Sequence, residues 1–269
     1  MFSFSTAARQ LGLSLGLGFV LWGSALHAQA QVAVPGALKI ALEASYPPFE
    51  SFEGDKIVGF DPELSALLAR EMKLKPTLVD TKFASLILGL AGGQHDAVIS
   101  GLYITAERLA IADAVPYAGM GALIMAGKDG IQPKTENDLC GVKVGLQAGT
   151  SWVKKLQTLS TDYCVPNGKP PVIVAEFPTA PEVSQALMSK NVQAQIEVAA
   201  AAKAFAAKSN GRIVVSSPAT VYPQILGIYV KKGNTALIGQ FEAAMNAIRK
   251  SGEYDALIKK YDLNPVAAK

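Results

Sequence analysis

Over residues 38–98 the chain alternates short apolar runs with amphipathic stretches, and this alternation limits the fold more than any other feature. Residues 38–42 alternate apolar and polar side chains in strand fashion. Asp61-Pro62-Glu63 then opens a helix, with Asp61 expected as N-cap and Pro62 at the first position, where a missing N–H costs nothing. Leu64, Leu67, Leu68 and Met72 share one face of it. Residues 74–79 form a second strand and residues 83–90 a second helix, which Gly92-Gly93 ends before the apolar run at Ala97. Strand, helix, strand, helix, strand is the grammar of a parallel α/β sheet.

A second set of elements follows Lys128-Asp129-Gly130. Strands are expected at residues 142–146, 172–177, 194–197, 212–215 and 226–230, with helices at 149–156, 181–188 and 199–208. Leu237, Phe241, Met245 and Ile248 mark a further helix with Gly252 past its end, and a last short one carries Tyr254, Leu257, Ile258 and Tyr261.

Residues 1–30 read as a cleavable signal peptide: Arg9 is the positive segment, residues 11–26 are apolar, and Ala28-Gln29-Ala30 is a cleavage signal. The expected compartment is the periplasm. No cysteine lies near the cut, which argues against a lipid anchor there. Losing Arg9 lowers the formal charge from +3 to +2, too weak a field for nucleic acid, and no polybasic cluster suggests a membrane surface. The two cysteines, Cys140 and Cys164, form an even pair in an exported chain, which favours a disulfide over two buried thiols. His95, the one histidine outside the leader, sits in a Gly-rich turn and is expected to cap structure. No nucleophile–histidine pair, metal cluster or phosphate-cradling loop stands out, so no cofactor, metal or catalytic residue is expected.

Residues 96–108 carry the clearest chemistry. An apolar strand run, Ala97-Val98-Ile99, ends in Ser100 and Gly101, where open α/β sheets present ligand-binding groups. Thr105 is expected to cap a helix. Arg108 then falls in its first turn, a poor place for a cation beside the positive end of the helix dipole. A carboxylate between the guanidinium and the free amides reconciles the two. The alternative is a surface pair of Arg108 with Glu107 or Asp113.

Five segments resemble the extracellular solute-binding proteins of ABC importers, specifically the polar amino-acid-binding family, family 3. They are Ala-Ser-Tyr-Pro-Pro-Phe-Glu (44–50), Val-Gly-Phe-Asp (58–61), residues 96–108, Val-Gly-Leu-Gln-Ala-Gly-Thr (144–150) and Gly-Glu-Tyr-Asp-Ala-Leu-Ile-Lys-Lys-Tyr (252–261). The cysteine pair also resembles a subgroup in which such residues are bridged. The resemblance implies a two-lobed α/β fold, each lobe a mixed or parallel sheet flanked by helices. Two crossover strands near residues 122–127 and 221–227 would join the lobes. One lobe would hold residues 36–122 and 225–266 and the other residues 125–220, trapping a ligand by hinge closure. It further implies a monomer whose partners are a small amino acid or related carboxylate and the transmembrane subunits of an ABC permease.

Carried over residue by residue, the resemblance puts Tyr46 and Phe83 on the ligand as aromatic walls, though either also reads as a core residue; Phe49 and Phe60 read as core. Arg108 takes the ligand carboxylate, joined by backbone N–H and hydroxyl groups of Thr150 and Ser151; Ser100, Gly101 and Ala148 complete that shell. Two positions depart from the family pattern. Tyr103 replaces a small hydroxyl residue, and an ungapped match sets Val198 where an acid is expected for an ammonium group, so Glu197 is the nearest candidate counter-charge. Without Glu197, a carboxylate lacking a primary ammonium becomes the reading, with Tyr103 able to stack on a quaternary or ring cation. Glu43 matches a position that meets a ligand side chain, or is a strand-end residue in water. The rival function is a periplasmic dehydratase-like enzyme on the same scaffold acting on a cyclic carboxylate, with Glu43 or Glu197 as its acid.

Overall fold

The computed structural model describes residues 1–2 and 32–267, so the expected signal peptide lies, apart from its first two residues, outside the described residues. The chain begins with β1 (Ala37–Leu42), a small antiparallel sheet of β2 (Ser45–Tyr46), β3 (Glu50–Glu53) and β4 (Lys56–Val58), and helix α1 (Phe60–Glu71). Strand β5 (Lys75–Asp80), a 3-10 turn leading into α2 (Leu86–Ala91), β6 (Ala97–Val98) and α3 (Ala106–Ile111) follow. The long β7 (Ala112–Gly127) leads to β8 (Lys143–Gln147), α4 (Trp152–Leu159), β9 (Ile173–Phe177), α5 (Ala180–Met188), β10 (Ala194–Val198), α6 (Ala199–Lys208) and β11 (Ile213–Val215). A second long strand, β12 (Val221–Lys231), returns beside β7, and α7 (Thr235–Lys250) and α8 (Glu253–Lys260) close the chain against α1.

The strand order β5-β1-β6-β12-β7-β10-β8-β9, with β11 on β7, explains the two-lobed architecture. On one side β1 runs parallel to β5 and β6; on the other β8 runs parallel to β9 and β10. The antiparallel pair β7 and β12 joins them. Residues of β7 from Ala112 to Met120 pair with β12, whereas Ala122 to Ala126 pair with β10. Ala122 is the changeover, facing both Val221 and Val198. The face of α1 read from the sequence packs inward: Leu64 and Leu68 are fully buried, and Leu67 and Met72 lie against the same core.

Three features differ from the sequence reading. Helix α1 starts at Phe60, with Gly59 rather than Asp61 as its N-cap. Gly59 has φ 130°, and a Cβ there would sit 2.3 Å from the Phe49 carbonyl oxygen, so only glycine fits. Asp61 is instead fully buried and accepts from the Gly101 N–H at 2.6 Å, a partner forty residues away. The hairpins of β2, β3 and β4 are not evident in the sequence because these strands are two to four residues long. β12 extends past the expected 226–230 run, and β7 begins well before the expected crossover at 122–127. Pro116 and Gly227 interrupt their apolar pattern, and the ladder shifts register between Leu226 and Gly227.

Cys140 and Cys164 are bonded, tying the start of β8 to the turn that follows α4. Closing a loop of 24 residues restricts the unfolded chain by ~3 kcal/mol. Replacing both cysteines by serine is therefore expected to lower the urea unfolding free energy by about 3 kcal/mol with far-ultraviolet circular dichroism unchanged. Equal stability of variant and parent contradicts this.

Candidate functional site

The site forms where the two lobes face each other. On the first lobe, β6 ends at Val98 and the chain turns through Gly101, which has φ +52° and where a Cβ would lie 3.4 Å from the Tyr46 ring. Thr105 then caps α3 as expected, its Oγ1 accepting from the Arg108 N–H at 3.3 Å. This fixes the start of Arg108's side chain. Nη1 donates to the Tyr103 carbonyl at 2.7 Å, Nη2 reaches across the cleft to the Gly149 carbonyl at 3.0 Å, and Cζ lies 5.7 Å from the Phe83 ring centre. Arg108 is half-buried, and burial lowers its pKa. The surface pairing considered above is not formed, because Glu107 pairs with Lys154 and Asp113 with Lys232.

Arg108 borders a narrow inner cavity of about 20 Å³, together with Tyr46, Phe83, Gly101, Gln147, Thr150, Ser151, Trp152 and Val198. That is room for the centre of about one water molecule, so a larger ligand requires the lobes to part. Arg108, Thr150 and Ser151 also border a wide outer groove of about 950 Å³ reaching Lys155 and Tyr222. The inner cavity is the better candidate despite its size, because cation, aromatic rings and unpaired polar groups converge there.

Tyr46 is buried and bridges the cleft. Its hydroxyl donates to Glu197 Oε2 at 2.7 Å and accepts from the Val198 N–H at 3.2 Å, while its ring stacks on Phe49. Glu197 is fully buried, its other oxygen accepting from Gln195 Nε2 at 2.9 Å, and burial raises its pKa to about 7. Glu43 is buried rather than solvated. Its oxygens accept from Gln147 Nε2 and the Phe83 N–H, and burial raises its pKa. Phe83 is half-buried on the cavity wall, and Phe49 and Phe60 are core.

Several expected ligand groups are occupied by the protein itself. Ser100 is buried behind the site, accepting from the Glu43 N–H at 3.1 Å and donating to Glu50 at 2.7 Å. Gly101 lines the cavity, but its N–H is taken by Asp61. Burial pushes Asp61 up to about 6 and Glu50 well above the carboxylate range. Thr150 turns both its N–H and its hydroxyl onto the Gln147 carbonyl, and the Ala148 N–H bonds Phe177. Ser151 begins α4 without a capping bond, leaving its hydroxyl buried and unpaired. The hydroxyl of Tyr103 and the indole N–H of Trp152 are likewise buried without partners, and the two rings meet edge-on at 5.9 Å.

The cavity also uses residues absent from the sequence-level set: Gln147, Trp152 and Val198. Gln147 ends strand β8, the kind of position that drew attention to Ser100, and Trp152 follows the Thr150-Ser151 helix start. Neighbouring strand residues point to opposite faces, so Val198 borders the cavity whereas Glu197 lies beside Gln195 behind it. The acid expected to meet an ammonium group is therefore not on the cavity wall. His95 Nε2 donates to the Leu86 carbonyl at 2.9 Å, in keeping with a structural role.

The family model for bacterial extracellular solute-binding proteins, family 3, matches residues 38–264. ABC transporter arginine-binding protein 1 of Escherichia coli (strain K12) is 31% identical over 226 residues, covering 82% of this chain and 88% of that protein. The L-cystine-binding protein TcyJ of Escherichia coli (strain K12) is 31% identical over 231 residues, covering 84% and 82%. The solved structure of an ancestral arginine-binding protein bound to arginine superposes with a TM-score of 0.77 at 30% identity, over 84% of this chain and 98% of that one. A match of this extent, on a two-lobed fold with a cation in its cleft, means that the chain belongs to the bacterial extracellular solute-binding proteins, family 3.

Proposed function

We propose that this chain is the periplasmic solute-binding component of an ABC importer for a small amino acid or amino-acid-like carboxylate. The observation that carries the reading is Arg108, whose guanidinium spans the cleft to Gly149 and has no carboxylate partner among the described residues. A ligand carboxylate entering beside the residue 149–151 turn would replace a neutral carbonyl acceptor by an anion, which neutralises the guanidinium and can pair with it through two parallel bonds. The relatives are named as binding proteins for arginine and cystine, which supports an amino-acid-like ligand and gives no support to the dehydratase alternative. Delivery to permease transmembrane subunits, and a monomeric state, rest on family membership. Among the described residues no helix is long and apolar enough to cross a membrane.

We place the first lobe at residues 36–122 and 225–266 and the second at 125–220. The exchange of β12 for β10 as partner of β7 at Ala122 supports that division. Contacts between the lobes so defined include Tyr46–Glu197, Glu43–Gln147, Arg108–Gly149 and Glu107–Lys154. A ligand that binds the closed arrangement better than the open one shifts the population toward it, and capture needs no more than that difference.

Arg108→Ala is expected to weaken binding of the tightest carboxylate found in a thermal-shift screen at least ~100-fold, since removing one partner of a buried charged pair costs ~3–5 kcal/mol. An unchanged Kd by calorimetry contradicts the role of Arg108. Glu197 gives a pH test. Its carboxyl titrates at about 7 when folded against 4.5 ordinarily. Below 4.5 both states hold the proton; between 4.5 and about 7 the unfolded chain releases it first, so folded stability falls as pH rises and then levels off. Glu197→Gln removes this loss and should gain on the parent by up to about 3 kcal/mol between pH 4 and pH 8 in urea unfolding. A difference that does not change with pH contradicts the assignment.

A further inference from the structure

We propose that the captured carboxylate carries no free ammonium, and that its neighbouring carbon bears a hydrogen-bond acceptor, as in 2-oxo and 2-hydroxy acids with an apolar or aromatic side chain. This inference rests on the solute-binding reading above and narrows its ligand.

The first support is charge. Of the residues bordering the inner cavity only Arg108 is ionised, and it is a cation. A primary ammonium trapped there needs a carboxylate, because burying an uncompensated charge is prohibitive. Where one would be useful the wall presents the isopropyl group of Val198. Glu197, one residue earlier, lies outside the lining with both oxygens bonded, to Tyr46 and to Gln195. Glu43 has both oxygens bonded as well, to Gln147 and the Phe83 N–H.

The second support is hydrogen-bond inventory. The indole N–H of Trp152 and the hydroxyls of Ser151 and Tyr103 are buried at or beside the cavity without partners. Trp152 can only donate, and Arg108 can only donate. A carboxylate with an adjacent oxygen supplies acceptors to such a set, whereas an ammonium adds three more donors. The third support is polarity: Tyr46, Phe83, Trp152 and Val198 present apolar and aromatic groups to the molecule that the parted lobes admit.

The test is calorimetry on the full exported chain with matched sets that differ only at the second carbon. These are L-phenylalanine, phenylpyruvate and 3-phenyllactate; L-leucine with its 2-oxo and 2-hydroxy counterparts; and L-arginine with its 2-oxo counterpart. Each is repeated on Arg108→Ala and on Val198→Asp. The expected result is that the tightest binder is a deaminated acid, at least ten times tighter than its amino acid, and that Val198→Asp narrows the ratio. An amino acid bound as tightly as its deaminated partner, with binding still lost in Arg108→Ala, overturns this inference and leaves the solute-binding reading intact. Failure of every carboxylate in both classes to bind overturns both.

Discussion

The guanidinium of Arg108 bonds the Tyr103 carbonyl on its own side of the cleft and the Gly149 carbonyl on the other, beside the face of Phe83. Backbone carbonyls satisfy its donors without neutralising its charge. Because Thr105 caps α3 through the Arg108 N–H, the start of the side chain is fixed in that six-residue helix. An anion between the lobes would neutralise the guanidinium. Rigid rings flank it, and the start of α4 lies opposite.

The lobes are held by groups of the same kinds that recognise solutes. Tyr46 uses its hydroxyl to reach Glu197 and Val198, and Glu43 meets Gln147 across the cleft. These carboxyls are buried and held above the ordinary carboxylate range, so each contact is bought with desolvation. Contacts of modest net strength suit a protein that must open again, since a ligand can shift a two-state equilibrium only by its preference for one state.

Much of this was legible in the sequence wherever the determinants are local. The alternation that marks β1, α1, β5 and β6 and the Thr105–Arg108 cap depend on residues a few positions apart. Asp61 has the chemistry of a capping residue, but its partner, the Gly101 N–H, is distant in sequence and so not evident locally. Ser100 is expected as a ligand group from its place at a strand end and Thr150 from its place at a helix start, yet Glu43, Glu50 and Gln147 use them. Glu197 and Val198 differ by one residue of register, which reverses the face of a strand and is fixed by pairing with β7 rather than by local sequence. Trp152, Gln147 and Val198 became visible as cavity residues only once the lobes were assembled.

A crystal structure of the chain with its tightest-binding carboxylate tests the central claim most directly. The account predicts both carboxylate oxygens within about 3 Å of the Arg108 guanidinium, with Nη2 released from Gly149 and the lobes closed over the ligand. A bound ligand lying elsewhere, with Arg108 still holding the Gly149 carbonyl, would contradict it.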